Sequence, residues 1–208
     1  MRLNAGGIAH PSAGAPPHPM DHQRGVEGMN DEAIIAAMRE WIEQAVIGLN
    51  LCPFAKAVYV KHRVRFVVSR ARHLDGLLED LDRELEFLAA ADPAVVETTL
   101  LIHRTLLPDF LDFNAFLPLA EASVEEHDLQ GVIQIASFHP AYQFAGTEPG
   151  DLGNLTNRAP FPTLHLLREA SIDRAVAAFP EAETIYERNI ETLDALGSAG
   201  WRALWSQP

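Results

Sequence analysis

The sequence predicts an α/β domain built on a small, mostly parallel sheet of three to five strands with helices packed against it. Three runs rich in β-branched residues, at 64–69, 95–102 and 132–138, alternate with two stretches of helical periodicity. Strand, helix, strand, helix, strand is the order that favours crossovers into a parallel sheet. The chain also has the means to bury such a core: 208 residues, 48% hydrophobic and 22% charged, suit one soluble domain. A ferredoxin-like α+β arrangement is the alternative, although no Asn-Gly or Asp-Gly hairpin signal supports it.

Residues 1–29 are rich in Gly and Pro and poor in large apolar side chains, so a disordered tail is expected there, with Met20 or Met29 as alternative starts. The domain is expected to span 30–197. Asn30 is a good N-cap, and Asp31 and Glu32 suit the positive end of a helix. Ile34, Ile35, Met38, Ile42, Ala45, Val46 and Leu49 recur at helical spacing, which predicts a helix to about Gly48 or Leu49. Asn50 stops it, and Pro53 makes LCPFAK a turn.

The first strand is VRFVVS, 64–69. From His73 to about Ala90, leucines alternate with acidic residues as an amphipathic helix. Asp92 and Pro93 end it, and 95–102 forms the second strand. A further helix starts near Asp109 or Asn114 and ends near His127, with Pro118 predicting a kink or a start just before it. Val132 to Phe138 is the third strand. After a loop from Pro140 to Pro162, Pro162 and Thr163 are expected to open a helix reaching about Phe179. Pro180 breaks it, and a last helix runs from Glu181 to Leu196, stopped by Gly197. Residues 198–208 form a tail in which Trp201 and Trp205 could dock on the domain.

The formal net charge of −13 argues against nucleic acid and anionic membranes as partners, since both select basic surfaces. Cys52 is the only cysteine, so an intramolecular disulfide and a four-cysteine zinc site are excluded. With no apolar run of bilayer length, a cytoplasmic, unanchored protein is expected.

A parallel sheet would deliver all three strand ends to one edge, where ligands of open sheets bind. Those ends carry Ser69 and Arg70, His103 and Arg104, and Ser137 and His139. The 140–162 loop is long enough to be functional and supplies Asn154, Asn157 and Arg158. On the expected helix after Thr163, His165, Arg168 and Glu169 share a stripe. The sharper reading of these residues is a pocket for a carboxylate or phosphate. Arg158, Arg168 and Arg70 would bind the anion, Ser137, Asn154, Asn157 and His103 would assist, and His139, His165 and Glu169 would serve as acid, base or orienting group. The plainer reading is arginines paired with the many carboxylates and a solvated helix face. His103, His139, His165 and Glu169 could ligate zinc or iron but lack dense metal-ligand spacing, so no metal site is assigned and the cofactor stays unknown. The Gly spacing of the loop matches no nucleotide motif. Cys52, beside Leu51 and Phe54, reads as a buried small hydrophobe before it reads as a nucleophile.

Several stretches resemble a bacterial family called domain of unknown function 1415: GLNLCPFAK at 48–56, VRFVVS, DFLDFNAFL at 109–117, GVIQIASFHPAYQFAGT at 131–147 and NLTNRAPFPTLHLLREASIDRAV at 154–176. The likeness spans nearly all of Asn30 to Leu196 and carries no assigned activity. This chain departs from the family pattern at Arg104, near Pro118 and at 159–162, which argues against an essential role for Arg104.

Three functions stay open: an enzyme acting on a small anionic substrate, a non-catalytic module binding a metabolite or protein, and an interaction protein using its C-terminal helices.

Overall fold

The computed structural model describes residues 28–178 and 184–204. Residues 1–27 of the expected 1–29 tail, the breaker Pro180 and Trp205 lie outside these residues. Asn30 caps helix α1 (Asp31–Trp41) as expected, its side-chain oxygen accepting from the Ala33 N–H at 2.8 Å. Helix α1 buries Ile34, Met38 and Trp41, then widens into a π-helical turn, Ile42–Ile47. Gly48 closes that turn because a Cβ there would collide with the carbonyl oxygen of Gln44. Asn50 then reverses the chain at φ 55°, and after Pro53 a short helix, α2 (Ala55–Tyr59), follows.

Strand β1 (Val64–Ser69), helix α3 (Leu74–Ala90), strand β2 (Thr98–His103), helix α4 (Phe110–Glu126) and strand β3 (Ile133–Phe138) come next. Asp109 caps α4, accepting from the N–H groups of Leu111 and Asp112 at 2.8 and 3.3 Å. Helix α4 is continuous across Pro118 rather than beginning there. Pro118 lies on the exposed side, where water can serve the Asn114 carbonyl that proline leaves without its usual donor.

Two expectations need correction. Residues 163–168 do not open a helix but form strand β4 (Thr163–Arg168), and helix α5 (Glu169–Ala177) starts only afterwards. Strand β4 lies between β2 and β3, in the order β1-β2-β4-β3. It is antiparallel to both neighbours, so β1–β2 is the one parallel pair and the sheet is mostly antiparallel. The strand wins over the helix because alternation puts Leu164 and Leu166 into the core under α3 and α4. The four-residue spacing that suggested a helix is incidental to that period.

Helices cover both faces of the sheet. On one face Leu100, Ile102, Phe66, Phe138 and Phe161 pack against α1 and against Leu193 and Trp201 of helix α6 (Ile185–Arg202). On the other, Leu101, Leu164, Leu166 and Ile133 pack on α3 and α4. Strand β2, covered on both sides, is buried at all six positions. That is why its sequence reads as a continuous apolar run rather than an alternation. Gly197, at φ 66°, breaks α6 where the helix was expected to stop. The chain then resumes its helix and buries Trp201 to 5% exposure, so residues 198–202 belong to the domain. None of the described helices is long and apolar enough to cross a membrane.

Candidate functional site

Strand directions decide which candidate residues can meet. Although β4 intervenes, β1, β2 and β3 still run the same way, so Ser69, Arg70, His103, Ser137 and His139 share one edge. Arg168 and Glu169 lie at the other end of β4, since Arg168 pairs with Ile133 and Thr163 with Phe138. At about 3.4 Å per residue that puts them roughly 17 Å from the His139 edge. His165, between Leu100 and Ala136 in mid-sheet, faces opposite to Arg168. The helical stripe that joined His165, Arg168 and Glu169 therefore does not exist.

Several of the polar candidates are engaged in holding the fold. Arg168 donates to the carbonyls of Leu88, Ala91 (2.7 Å) and Val96 (3.4 Å), closing the C-terminal end of α3. Arg158 donates to Tyr142 O at 3.1 Å and Pro149 O at 2.8 Å, and burial lowers its pKa. Asn154, fully buried, accepts from Phe144 N–H and the Thr147 hydroxyl, both at 2.9 Å, and donates to Glu148 O at 2.8 Å. Together these bonds make the 140–162 loop a wired unit around the 3₁₀ turn Leu152–Asn157. His139, 1% exposed, accepts from the Ala141 N–H through Nδ1 at 3.0 Å. Its Nε2–H then donates to Leu107 O at 3.2 Å, pinning the β2–α4 connection at a residue with φ 54°.

Two histidines are held neutral by burial. His165 Nε2 lies 2.7 Å from Thr98 Oγ1, which gives its own proton to Leu166 O at 2.6 Å. His165 is therefore the donor, and burial pushes its pKa down to about 4. Burial also takes His103 to about 4, with Asp80 opposing the shift. Among the described residues neither of its ring nitrogens has a partner. Beside it, Ser69 donates to Asp80 at 2.6 Å, and Arg83 pairs with the same carboxylate. Arg70, in turn, is paired with Asp31 at 2.6 Å. His103, His139, His165 and Glu169 form no joint ligand set, and among the described residues no group of three or more His, Cys, Asp or Glu could hold a metal.

Two concavities adjoin this edge. The smaller, about 400 Å³, lies between the end of β1 and α3 and is lined by Arg70, Gly76, Asp80 and Arg83 among others. The larger, about 480 Å³, is bounded by Phe138 at the end of β3, Phe144, Thr156 and Asn157 of the 140–162 loop, Val46, Leu51 and Cys52 after α1, and Ile185, Tyr186 and Asn189 of α6. Asn157 reaches it from a fixed position, its Nδ2 donating to Ser137 O at 3.1 Å and its carbonyl accepting from the His139 N–H at 3.1 Å. Asn189 donates to Leu51 O at 2.9 Å and so holds the turn that carries Cys52. Burial raises the pKa of the Cys52 thiol, and backbone N–H groups of Phe54 and Ala55 that bond to the sulfur offset this in part.

Of the residues in this larger cleft, only Asn157 was a sequence candidate. Cys52 was set aside as packing, and the lining comes from four separate stretches, 46–52, 138–144, 156–157 and 185–189. The signal was available only indirectly: GLNLCPFAK, GVIQIASFHPAYQFAGT and NLTNRAP, three stretches that carry the family resemblance, all contribute to the lining. No curated protein and no solved structure is similar enough to this chain to match it. A family model does match, over residues 33–203, and the chain accordingly belongs to the family described as protein of unknown function (DUF1415).

Proposed function

We propose that this chain binds a small, largely apolar molecule with hydrogen-bonding groups in the cleft lined by Cys52. One observation carries the reading: four separate segments close around a space of about 480 Å³, a size typical of small-molecule sites. Val46, Leu51, Phe138 and Ile185 line it with apolar groups, and Thr156, Asn157 and Asn189 supply uncharged polar atoms. Among the described residues no charged side chain belongs to the lining, so the occupant's recognition would rest on shape and neutral hydrogen bonds. Binding is favoured over catalysis. Cys52 is the strongest nucleophile in the lining, but burial raises the pKa of its thiol, and among the described residues no histidine or carboxylate lines the cleft to act as its base.

Cys52 is the single thiol of the chain, so its alkylation rate reports occupancy. Screened by intact mass, some of a panel of amides, alcohols and aryl or alkyl esters are expected to slow iodoacetamide labelling. Asn157→Ala should remove that protection. Labelling that nothing slows, or protection indifferent to Asn157→Ala and Phe144→Ala alike, would overturn the proposal.

A second reading keeps the small anion, a carboxylate or phosphate, but at the end of β1. It is favoured by the concavity that Arg70, Gly76 and Arg83 line together with Glu79 and Asp80, at the first turn of α3, a helix whose N-cap, His73, makes no side-chain capping bond. Phosphate should then raise the melting temperature of the native chain and not of Arg70→Gln. An equal rise in both would reject this site.

A further inference from the structure

Helix α4 has an unusual surface. Its inner side buries Phe113, Phe116, Ala120 and Val124, yet its outer side is also apolar, with Leu111 at 74% and Leu119 at 49% exposure. At roughly 100° per residue, Leu111, Ala115, Pro118 and Ala122 fall within an arc of about 60° at the centre of the solvent side. Leu119 borders that arc. Asp112 and Glu126 flank the stripe on one side, Glu121 and Glu125 on the other, and the helix contains no Lys or Arg. Next to it on α3, Asp82 and Glu86 approach His127 at 3.1 and 3.8 Å and extend the acidic border.

We infer that this face docks a basic amphipathic helix of a partner protein. Scattered surface leucines need no partner, but a continuous stripe with charge of one sign along both margins has the form of a recognition surface. The charge selects the occupant. In a symmetric dimer a second copy would bring the same four carboxylates against these, which is repulsive. An anionic membrane or nucleic acid is repelled likewise, by a chain whose net charge is −13. Lys or Arg on the margins of an incoming helix would meet Glu121, Glu125, Asp112 and Glu126, while its leucines covered the stripe. The Asn114 carbonyl, which Pro118 leaves without its usual donor, adds an exposed acceptor beside the stripe.

The test uses the full chain and a fluorescent peptide of about 18 residues with Leu at helical spacing and Lys elsewhere, followed by anisotropy. Binding is expected, and should weaken about tenfold or more both in Leu111→Ser/Leu119→Ser, which keeps every charge, and in Glu121→Lys/Glu125→Lys. A peptide with Glu in place of Lys should not bind. Thermal melts confirm that these exposed changes leave the fold intact. Affinity unchanged from the native chain in either double variant would mean that the peptide binds elsewhere and would overturn the inference. So would a concentration-dependent dimer that Leu111→Ser/Leu119→Ser dissolves, since a second copy would then be the occupant.

Discussion

Acid should destabilise this domain through two identifiable histidines. His103 and His165 both sit near pKa 4 in the folded chain, against an ordinary value of 6.5. As pH falls through 6.5 the unfolded chain takes up these protons first. The stability they confer is therefore complete above about pH 6.5 and is lost progressively toward pH 4. A depression of that size corresponds to about 3 kcal/mol per histidine at the limit, of which about 2 kcal/mol is lost between pH 7 and pH 5. His103, 3% exposed with both nitrogens unpartnered, should carry the larger share. His165 keeps some exposure and one hydrogen bond, to Thr98. Urea unfolding followed by tryptophan fluorescence at pH 7 and pH 5 measures the loss. His103→Phe, which removes the titrating ring without leaving a partner unpaired, should cost little at pH 7 and flatten the pH dependence by about 2 kcal/mol. Adding His165→Gln should flatten it further. If the native chain and the double variant lose the same stability on acidification, or if NMR titration places both rings above pH 6, the burial argument fails.

Two further outcomes follow from side chains that serve the backbone. Arg168→Met should cost about 3 kcal/mol in urea unfolding, because the carbonyls of Leu88, Ala91 and Val96 lose their donor where α3 ends. Unchanged stability would return Arg168 to the list of ligand-binding candidates. Asn154→Ala should cost a similar amount, about 3 kcal/mol, since a buried amide that joins Phe144, Thr147 and Glu148 is lost. Limited proteolysis should then cut within 143–151 in the variant well before the native loop is touched.

Local signals were legible wherever one residue's chemistry decides one backbone event. Asn30 and Asp109 accept from the N–H groups that a helix leaves unpaired, so the first helix start could be read directly and Asp109 was one of the two starts expected for α4. β-Branched content defined β1 to the residue, and the positive φ of Gly197 falls where a helix stop was expected. Residues 163–168 are different: TLHLLR admits a period of two or of 3.6, and six residues are too few to separate them. Only pairing with β2 and β3 resolves the choice, and those partners lie 25 to 70 residues away in the chain.

The candidate site divides along the same line. Residue type and chain position alone determined an acidic single-cysteine domain, with Ser69, Arg70, His103, Ser137 and His139 delivered to one edge. That much depends on the common direction of β1, β2 and β3, which short connections through helices already impose. Which side chains remain available to a ligand was decided by tertiary structure. Arg158, Arg168 and Asn154 look like binding groups in a list of residues, but a buried carbonyl or amide nearby claims their hydrogen bonds first, because leaving such groups unpaired costs more than an exposed site gains. Cys52 and Asn157 became neighbours only when α1, the 140–162 loop and α6 closed over the end of β3, a contact between segments that no local pattern records.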